Sequence, residues 1–203
     1  MTTWFTSDLH FGHVNILTYE PSRYEYLGLS TGATTDDMNE AIVDLWNRQV
    51  APGDHVVVVG DVCMGRVNET IKYVHRLNGT RELIMGNHDR PHPIMFRSLG
   101  KTDAWIAEYE AAGFEFMACE DLRDIGLNRP VHVCHFPYEG DHTDTERYGA
   151  YRPHNSGQPL IHGHVHGLWA TKGPQYNVGI DAWFGEFQTP EKIAAYFRSI
   201  GFA

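Results

Sequence analysis

Several short apolar segments of this chain end close to residues that carry acid, amide or imidazole groups. His55–Val59, Glu82–Met85 and Val131–Cys134 have the length and composition of buried strands. Asp, Asn or His follows each of them within a few residues, and the same arrangement recurs after Thr3–Thr6 and Pro159–Ile161. In open α/β sheets the carboxyl ends of neighbouring strands meet at one crevice, where ligands bind. The pattern therefore predicts an α/β chain with one site at the carboxyl ends of its strands.

Amphipathic helical patterns alternate with the early strands. Thr34 and Asp37 form a predicted capping pair in front of the first long helix. Apolar residues recur at helical spacing over residues 67–77 and 102–113, and Thr189 is the predicted N-cap of a last helix. This alternation of strands and helices is typical of layered α/β folds.

The second half of the chain is richer in strands. Phe114–Asp124 and Pro130–His135 are expected to pair with each other, and Gln175–Ile180 supplies a further strand. Tyr138–Gly157 lacks periodicity, so it is predicted to be a long functional or mobile loop. We therefore expect a layered α/β/β/α sandwich with two mixed sheets, in a single domain that covers residues 1–203.

Composition and charge exclude several classes of protein. The longest aliphatic run, Val56–Val59, is far too short for a membrane span, and no leader sequence is recognisable. Asp and Glu outnumber Lys and Arg by 26 to 16, and the formal net charge of −10 disfavours tight binding of long nucleic acids. The three scattered cysteines are typical of reduced thiols, so we expect a cytoplasmic location. The oligomeric state is not predicted.

The 13 histidines are an unusual excess that prompts a search for metal ligands. Five short segments carry the candidates, and two imidazoles at i and i+2 after a strand have no evident structural purpose. The five segments are Asp8-Leu9-His10, Gly60-Asp61, Gly86-Asn87-His88-Asp89, Cys134-His135 and Gly163-His164-Val165-His166.

Together these segments supply two Asp, one Asn and four His as potential ligands, with no thiolate among them. Such a mixed oxygen and nitrogen set suits Mn, Fe, Zn or Ni better than a structural zinc site rich in cysteine. A single tetrahedral ion would bind only some of these seven side chains, whereas two ions that share one carboxylate would bind all of them. Asp61 is the natural candidate for the shared carboxylate, because it is predicted to follow the middle strand of the crevice.

The ordered motifs D-x-H, G-D, G-N-H-D, a single His after a strand, and G-H-x-H resemble those of the calcineurin-like metallophosphoesterases. All five occur here in order between residues 8 and 166, so the resemblance covers most of the chain. The opening segment, Ser7-Asp8-Leu9-His10-Phe11-Gly12-His13, is similar to that of a compact prokaryotic and phage-type subgroup.

The resemblance implies a dinuclear metal centre that holds Mn, with Fe, Zn, Ni or Co as alternatives. It assigns the ligands as follows: Asp8, His10 and His166 to the first metal, Asn87, His135 and His164 to the second, and Asp61 as the bridge. His88 would then be the catalytic group that meets the leaving oxygen or the scissile phosphate. Asp89 is expected to orient a neighbouring imidazole.

The family hydrolyses phosphate esters, so the resemblance implies a hydrolase that acts by a metal-bridging hydroxide. The Ser/Thr protein phosphatases carry a G-D-x-V-D-R-G pattern, whereas Gly60-Asp61-Val62-Cys63-Met64-Gly65 stands here. Our leading hypothesis is a phosphodiesterase for small nucleotide-like or cyclic nucleotide esters. The alternatives are a phosphomonoesterase or phosphoprotein phosphatase, a nuclease, and a non-catalytic binding module on the same fold.

Candidate substrate contacts come from the loops. Arginine and histidine side chains there could border the cleft and bind phosphate or a base. These candidates are Arg23, Arg90, Arg147, Arg152 and His154. Asp181 and Trp183, after the last strand, could line the floor of the site, although core packing is the favoured interpretation for Trp183.

Overall fold

The first sheet of the computed structural model is built from the early strands. The structure describes residues 1–95, 102–141, 145 and 147–203. Strands β1 (Thr3–Thr6), β2 (His55–Val58), β3 (Thr80–Ile84) and β4 (Phe114–Ala118) lie in the order β1-β2-β3-β4. Every pairing between these four strands is parallel, so this sheet is parallel where a mixed sheet was expected.

Helices connect these strands and cover one face of the first sheet. Their bounds are α1 Ile16–Tyr19, α2 Ser22–Tyr26, α3 Thr35–Gln49, α4 Val67–Val74 and α5 Thr102–Ala111. The predicted capping box of α3 is confirmed: the Thr34 hydroxyl accepts from the Asp37 backbone N–H, and the Asp37 side chain accepts from the Thr34 backbone N–H. Buried α3 side chains, among them Met38, Ile42 and Trp46, pack into this helix–sheet core.

The second sheet is mixed, as expected. Its strands are β5 Glu120–Arg123, β6 Val131–Cys134, β7 Leu160–His162, β8 Thr171–Lys172 and β9 Gln175–Asn177. Strands β6, β7 and β9 are parallel neighbours in the centre, and the antiparallel strands β5 and β8 lie at the edges. Helix α6 (Pro190–Ser199) begins after its predicted N-cap, Thr189.

The expected strand Phe114–Asp124 is wrong as one element. It divides at Cys119 into β4, which pairs with β3 in the first sheet, and β5, which pairs with β6 in the second. Only the second part forms the predicted antiparallel pair. The sequence between the two parts carries no turn signal, because the change of sheet depends on tertiary pairing and not on local backbone chemistry.

The two sheets share an apolar core. Val57 of the first sheet and Val59, which follows β2, belong to one buried cluster with Val133 and Ile161 of the second, and Phe197 of α6 joins them. The predicted α/β class with two sheets is confirmed. The described part of the loop Tyr138–Gly157 includes a short 3-10 helix, and residues 142–144 and 146 lie outside the described residues.

Candidate metal centre

Three side chains that follow strands of different sheets meet in what we call the first ligand cluster, Asp8, His10 and His166. Asp8 and His10 follow β1, and His166 follows β7. Asp8 Oδ1 lies 3.8 Å from His10 Nε2 and 4.0 Å from His166 Nε2. The two imidazole rings stack with centroids 5.0 Å apart. All three residues are buried, and one ligand atom from each lies within 4.8 Å of the others.

Four further side chains form the second ligand cluster, Asp61, Asn87, His135 and His164. Nε2 of His135 lies 3.4 Å from Asp61 Oδ2 and 3.2 Å from Asn87 Oδ1. The His164 ring packs edge-on against His135, with centroids 5.3 Å apart. Asp61 Oδ2 also lies 3.7 Å from His10 Nε2, so this carboxylate faces both clusters.

The backbone at the ligands is left-handed. Five of the residues that sequence motifs assign to the metals have positive φ, with values of 61° at Asp8, 56° at His10, 57° at Asp61, 72° at His164 and 49° at His166. Among the described residues, the other non-glycine positions with positive φ are Tyr148 and Phe184. Left-handed backbone is unfavourable for residues with a side chain and concentrates at functional sites.

Glycines in the motifs allow the ligand loops to approach each other closely. A Cβ at Gly163 would overlap the Ser7 hydroxyl and lie 2.5 Å from Asp8 Oδ2. A Cβ at Gly86 would overlap the Asp61 carboxylate and lie 2.7 Å from its backbone N. No side chain fits at either position without moving a ligand.

We expect Gly163→Ala to destabilise the protein by about 1–3 kcal/mol, because the added methyl group must displace Ser7 and Asp8. Urea unfolding of the metal-free protein measures this change. Gly53→Ala is the matched control, since a Cβ there meets nothing within 4 Å; its effect should stay within about 0.5 kcal/mol. Equal effects of the two substitutions would contradict the close-packing argument.

Burial and mutual charge set the protonation of the ligands. Burial lowers the pKa of His10 well below its ordinary value, so its imidazole is neutral at pH 7. Burial alone would raise the pKa of Asp61, but the His135 and His88 imidazoles hold it well below its usual range. Burial alone would lower the pKa of His135, but Asp61 raises it to about 9. A metal at His135 must therefore displace a proton from Nε2.

A cleft of about 630 Å³ opens on this group of side chains. His10, His88 and His166 line its floor, and Arg147 lies on its wall. The His88 ring lies 5.5 Å from the His10 ring, and its backbone N–H donates to Asp61 Oδ1 at 2.8 Å. The cleft is within the usual size of a small-ligand site.

Residues 1–187 match the family model described as calcineurin-like phosphoesterase. The chain belongs to this family. The Gene 66 proteins of Mycobacterium phages D29 and L5 are 32% and 33% identical to it, over 89% of this chain and 88% and 87% of their own lengths. A protein of unknown function from Aquifex aeolicus has a similar fold, with a TM-score of 0.64 and 21% identity, over 96% of this chain and 98% of the other.

Membership of the calcineurin-like phosphoesterases makes the protein a metal-dependent hydrolase of phosphate esters. The phage relatives agree with the compact phage-type subgroup that the opening motif resembles. Within the described ranges, no helix has both the length and the apolar character needed to cross a membrane.

The ligand clusters suit the divalent metals that this phosphoesterase family implies. Both ring nitrogens of His10 are buried and have no hydrogen-bond partner among the described residues, which is costly. A bound cation would satisfy the nitrogen that carries the lone pair of the neutral ring. The ligand atoms of six of the seven side chains, all except His164, have a neighbouring ligand atom at 3.2–4.0 Å. This is about the separation of two atoms that each lie about 2.1 Å from one ion. His135 Nδ1–H donates to the Val59 carbonyl at 2.8 Å, which directs Nε2 to the site.

Asp89 has a different role in this phosphoesterase from the one expected. It bonds to no imidazole of the described residues. Its carboxylate oxygens accept backbone N–H groups of Gly86, Asp61 and Val62 at 2.8–3.0 Å, and one of them lies 3.3 Å from the Tyr109 hydroxyl. The side chain therefore fixes two motif loops against each other. Asp89, the last residue of the G-N-H-D motif, is buried and does not line the cleft.

Of the five predicted substrate contacts, Arg147 alone is among the residues that line the cleft within the described parts of the chain. The prediction that Arg23 contacts substrate is wrong. Its side chain is fully buried and bonds to Asp181, so a substrate cannot reach it. Arg152 donates to three loop carbonyls, Arg90 donates to the Gly65 carbonyl, and His154 is exposed and does not belong to the residues that line the cleft.

Sequence reasoning missed several residues that support the ligands. Ser7 donates to Asp8 Oδ2 at 2.7 Å, and Asp141 lies 3.5 Å from His164 Nε2. Glu20 lines the cleft, as does His13. Ser7 and His13 belong to the opening motif segment, which could have drawn attention to them, whereas the contacts of Asp141 and Glu20 join distant parts of the chain and leave no local sequence signal.

Proposed function

We propose that this phosphoesterase is a phosphodiesterase for small nucleotide-like or cyclic nucleotide esters. The observation that carries the proposal is the position of the first ligand cluster, whose His10 and His166 line a cleft of about 630 Å³, next to Asp61 and His135 of the second. A cleft of this size accepts a small ester, and the net charge of −10 disfavours long nucleic acids. We infer that Mn occupies the centre and that Asp61 bridges two ions. A cytoplasmic location and a single domain stay predictions.

Different residues of the chain have different roles in the proposed hydrolysis. When bound, the divalent ions supply an activated water and positive charge that stabilises the phosphate oxygens. Asp8 and Asp61 hold these ions by charge, and buried neutral imidazoles such as His10 complete the ligand set. His88 lies on the cleft floor, where its imidazole can donate a proton to the departing oxygen. Arg147, which Asp141 orients at 2.8 Å, is positioned to bind a phosphate oxygen from the wall.

Glu20 supports the choice of a diester over a monoester. Its half-buried carboxylate lines the cleft beside Gly167, the residue after His166. A phosphate monoester carries up to two negative charges near neutral pH, whereas a diester carries one. A charged Glu20 would repel the added charge, and partial exclusion of water strengthens this repulsion. The same partial burial raises the pKa of Glu20.

We expect Mn-loaded protein to hydrolyse bis-p-nitrophenyl phosphate with a higher kcat/KM than p-nitrophenyl phosphate. Glu20→Gln should reduce this preference by about threefold or more, because it removes the repelling charge. Initial rates on the two esters measure the ratio. Glu25→Gln is the control, because it removes the same charge from an exposed residue that does not line the cleft. It should leave the ratio unchanged.

A clear preference for the monoester would contradict the proposed diesterase activity and indicate a phosphomonoesterase or phosphoprotein phosphatase. Cleavage of a labelled oligonucleotide at moderate salt would instead indicate a nuclease. A panel of mono-, di- and cyclic phosphates then identifies the substrate class. Two bound ions with no turnover on any of these esters would favour a binding module.

A further inference from the structure

A fully buried ion pair lies behind the first ligand cluster. Arg23 Nε and Nη2 each donate to one carboxylate oxygen of Asp181 at 2.8 Å, which is a bidentate arrangement. Both side chains have 0% exposure. Removing two charges from water is costly, and such a pair is weak evidence for stability by itself. The contacts around the pair indicate another role.

The ion pair touches the first ligand cluster on two sides. Asp181 Oδ2 accepts from Nδ1–H of His166 at 2.9 Å. On the other side, Arg23 donates to the backbone carbonyls of Asp8 at 2.7 Å and Leu9 at 3.0 Å. The pair therefore joins the strand-end loop after β1 to the ligand that follows β7.

These contacts determine the two properties that a ligand needs, its tautomer and its direction. With the proton of His166 held on Nδ1, Nε2 is the nitrogen that faces Asp8. The carbonyls of Asp8 and Leu9 lie in the turn whose residues Asp8 and His10 have left-handed backbone. Arg23 thus stabilises a strained turn that presents both of these ligands.

The second ligand cluster has supports of its own, although it also contacts the first, because the His164 backbone N–H donates to the Asp8 carboxylate. His135 Nδ1–H donates to the Val59 carbonyl, and the backbone N–H of Asp61 donates to Asp89. Damage to the ion pair should therefore act on one cluster more than on the other.

We propose that Arg23 and Asp181 are positioning residues that determine metal occupancy at the first ligand cluster selectively. This inference rests on the two-metal centre proposed above. Loss of either residue frees His166 and the Asp8 turn, so one of the two ions binds more weakly while the other is retained. A purely structural ion pair would lower stability without distinguishing between the two metal sites.

The test counts metal ions on Asp181→Asn and Arg23→Lys protein equilibrated with Mn²⁺ alone. Asp181→Asn keeps the shape of the side chain, and Arg23→Lys keeps the charge but loses the bidentate geometry. We expect one site to keep its wild-type affinity and the other to weaken about 10–100-fold, the usual effect of removing such a support. Mass spectrometric metal analysis gives the stoichiometry. Electron paramagnetic resonance should change from a coupled Mn pair to an isolated ion.

Arg76→Met is the matched control, because Arg76 forms a bidentate pair with Glu40 on an exposed surface. It should keep two ions. Circular dichroism confirms that each variant is folded, and Asp181→Asn provides the answer if Arg23→Lys does not fold. Two ions bound with wild-type affinities in the folded variants, or equal weakening of both, would overturn the inference. Fewer than two ions on the wild-type protein would instead overturn the proposed centre.

Discussion

Asp61→Asn is expected to remove bound metal and activity together. The side chain keeps its shape and can still accept the His88 N–H through Oδ1, but it loses the charge that faces His135 at 3.4 Å and His10 at 3.7 Å. Because this carboxylate faces both clusters, we expect the metal content to fall below one ion per chain at limiting Mn²⁺. Turnover should fall by at least ~100-fold, more than the loss of a supporting residue causes.

Asp54→Asn is the matched control for this substitution. Asp54 is a buried carboxylate at the opposite end of the same strand, β2, where it accepts the backbone N–H groups of Thr2 and Ala51. Its replacement should lower stability and leave the metal content unchanged. Metal analysis and initial rates on one preparation test both variants. An Asp61→Asn protein that binds two ions and stays active would show that Asp61 is not the bridge.

His88→Ala is expected to keep both metals and lose turnover. The ring lies on the cleft floor 5.5 Å from the His10 ring, and the residue's link to Asp61 is through its backbone N–H, which alanine retains. Loss of a proton donor typically lowers kcat by about 10²–10⁴-fold. The loss should be larger for an alkyl ester than for a p-nitrophenyl ester, because the aryl leaving group needs less protonation.

The leaving-group comparison distinguishes a proton donor from a group that only binds phosphate, which would affect both esters equally. His75→Ala, at an exposed position that ends α4, is the control and should leave both rates intact. Metal analysis checks the remaining assumption. An emptied centre in His88→Ala would mean that His88 is a ligand after all.

The meeting of the candidate ligands at the strand ends could be predicted from sequence, because local rules determine where these residues lie. A strand of apolar residues ends where polar residues begin, and the topology of parallel strands brings these ends together. The strand bounds at β1 and β6 and the capping box of α3 follow from the same short-range chemistry. The assignment of individual roles, in contrast, came from the resemblance to a family.

The environment of each polar side chain could not be predicted. Arg23 lies in a polar segment that is typical of a surface loop, yet its guanidinium is buried because Asp181, 158 residues later, neutralises it. Asp89 was expected to face an imidazole, but three backbone N–H groups converge on it. Both outcomes depend on contacts between distant segments, which leave no trace in the spacing of residues along the chain.

The left-handed backbone at the ligands also has an energetic cost. Glycine or asparagine at positions 10, 164 and 166 would relieve the torsional penalty that histidine carries there, by about 1 kcal/mol each. The three rings are buried, so glycine would relieve this penalty only at the expense of their packing. The scaffold therefore retains torsional strain at the positions that present imidazoles toward the candidate centre.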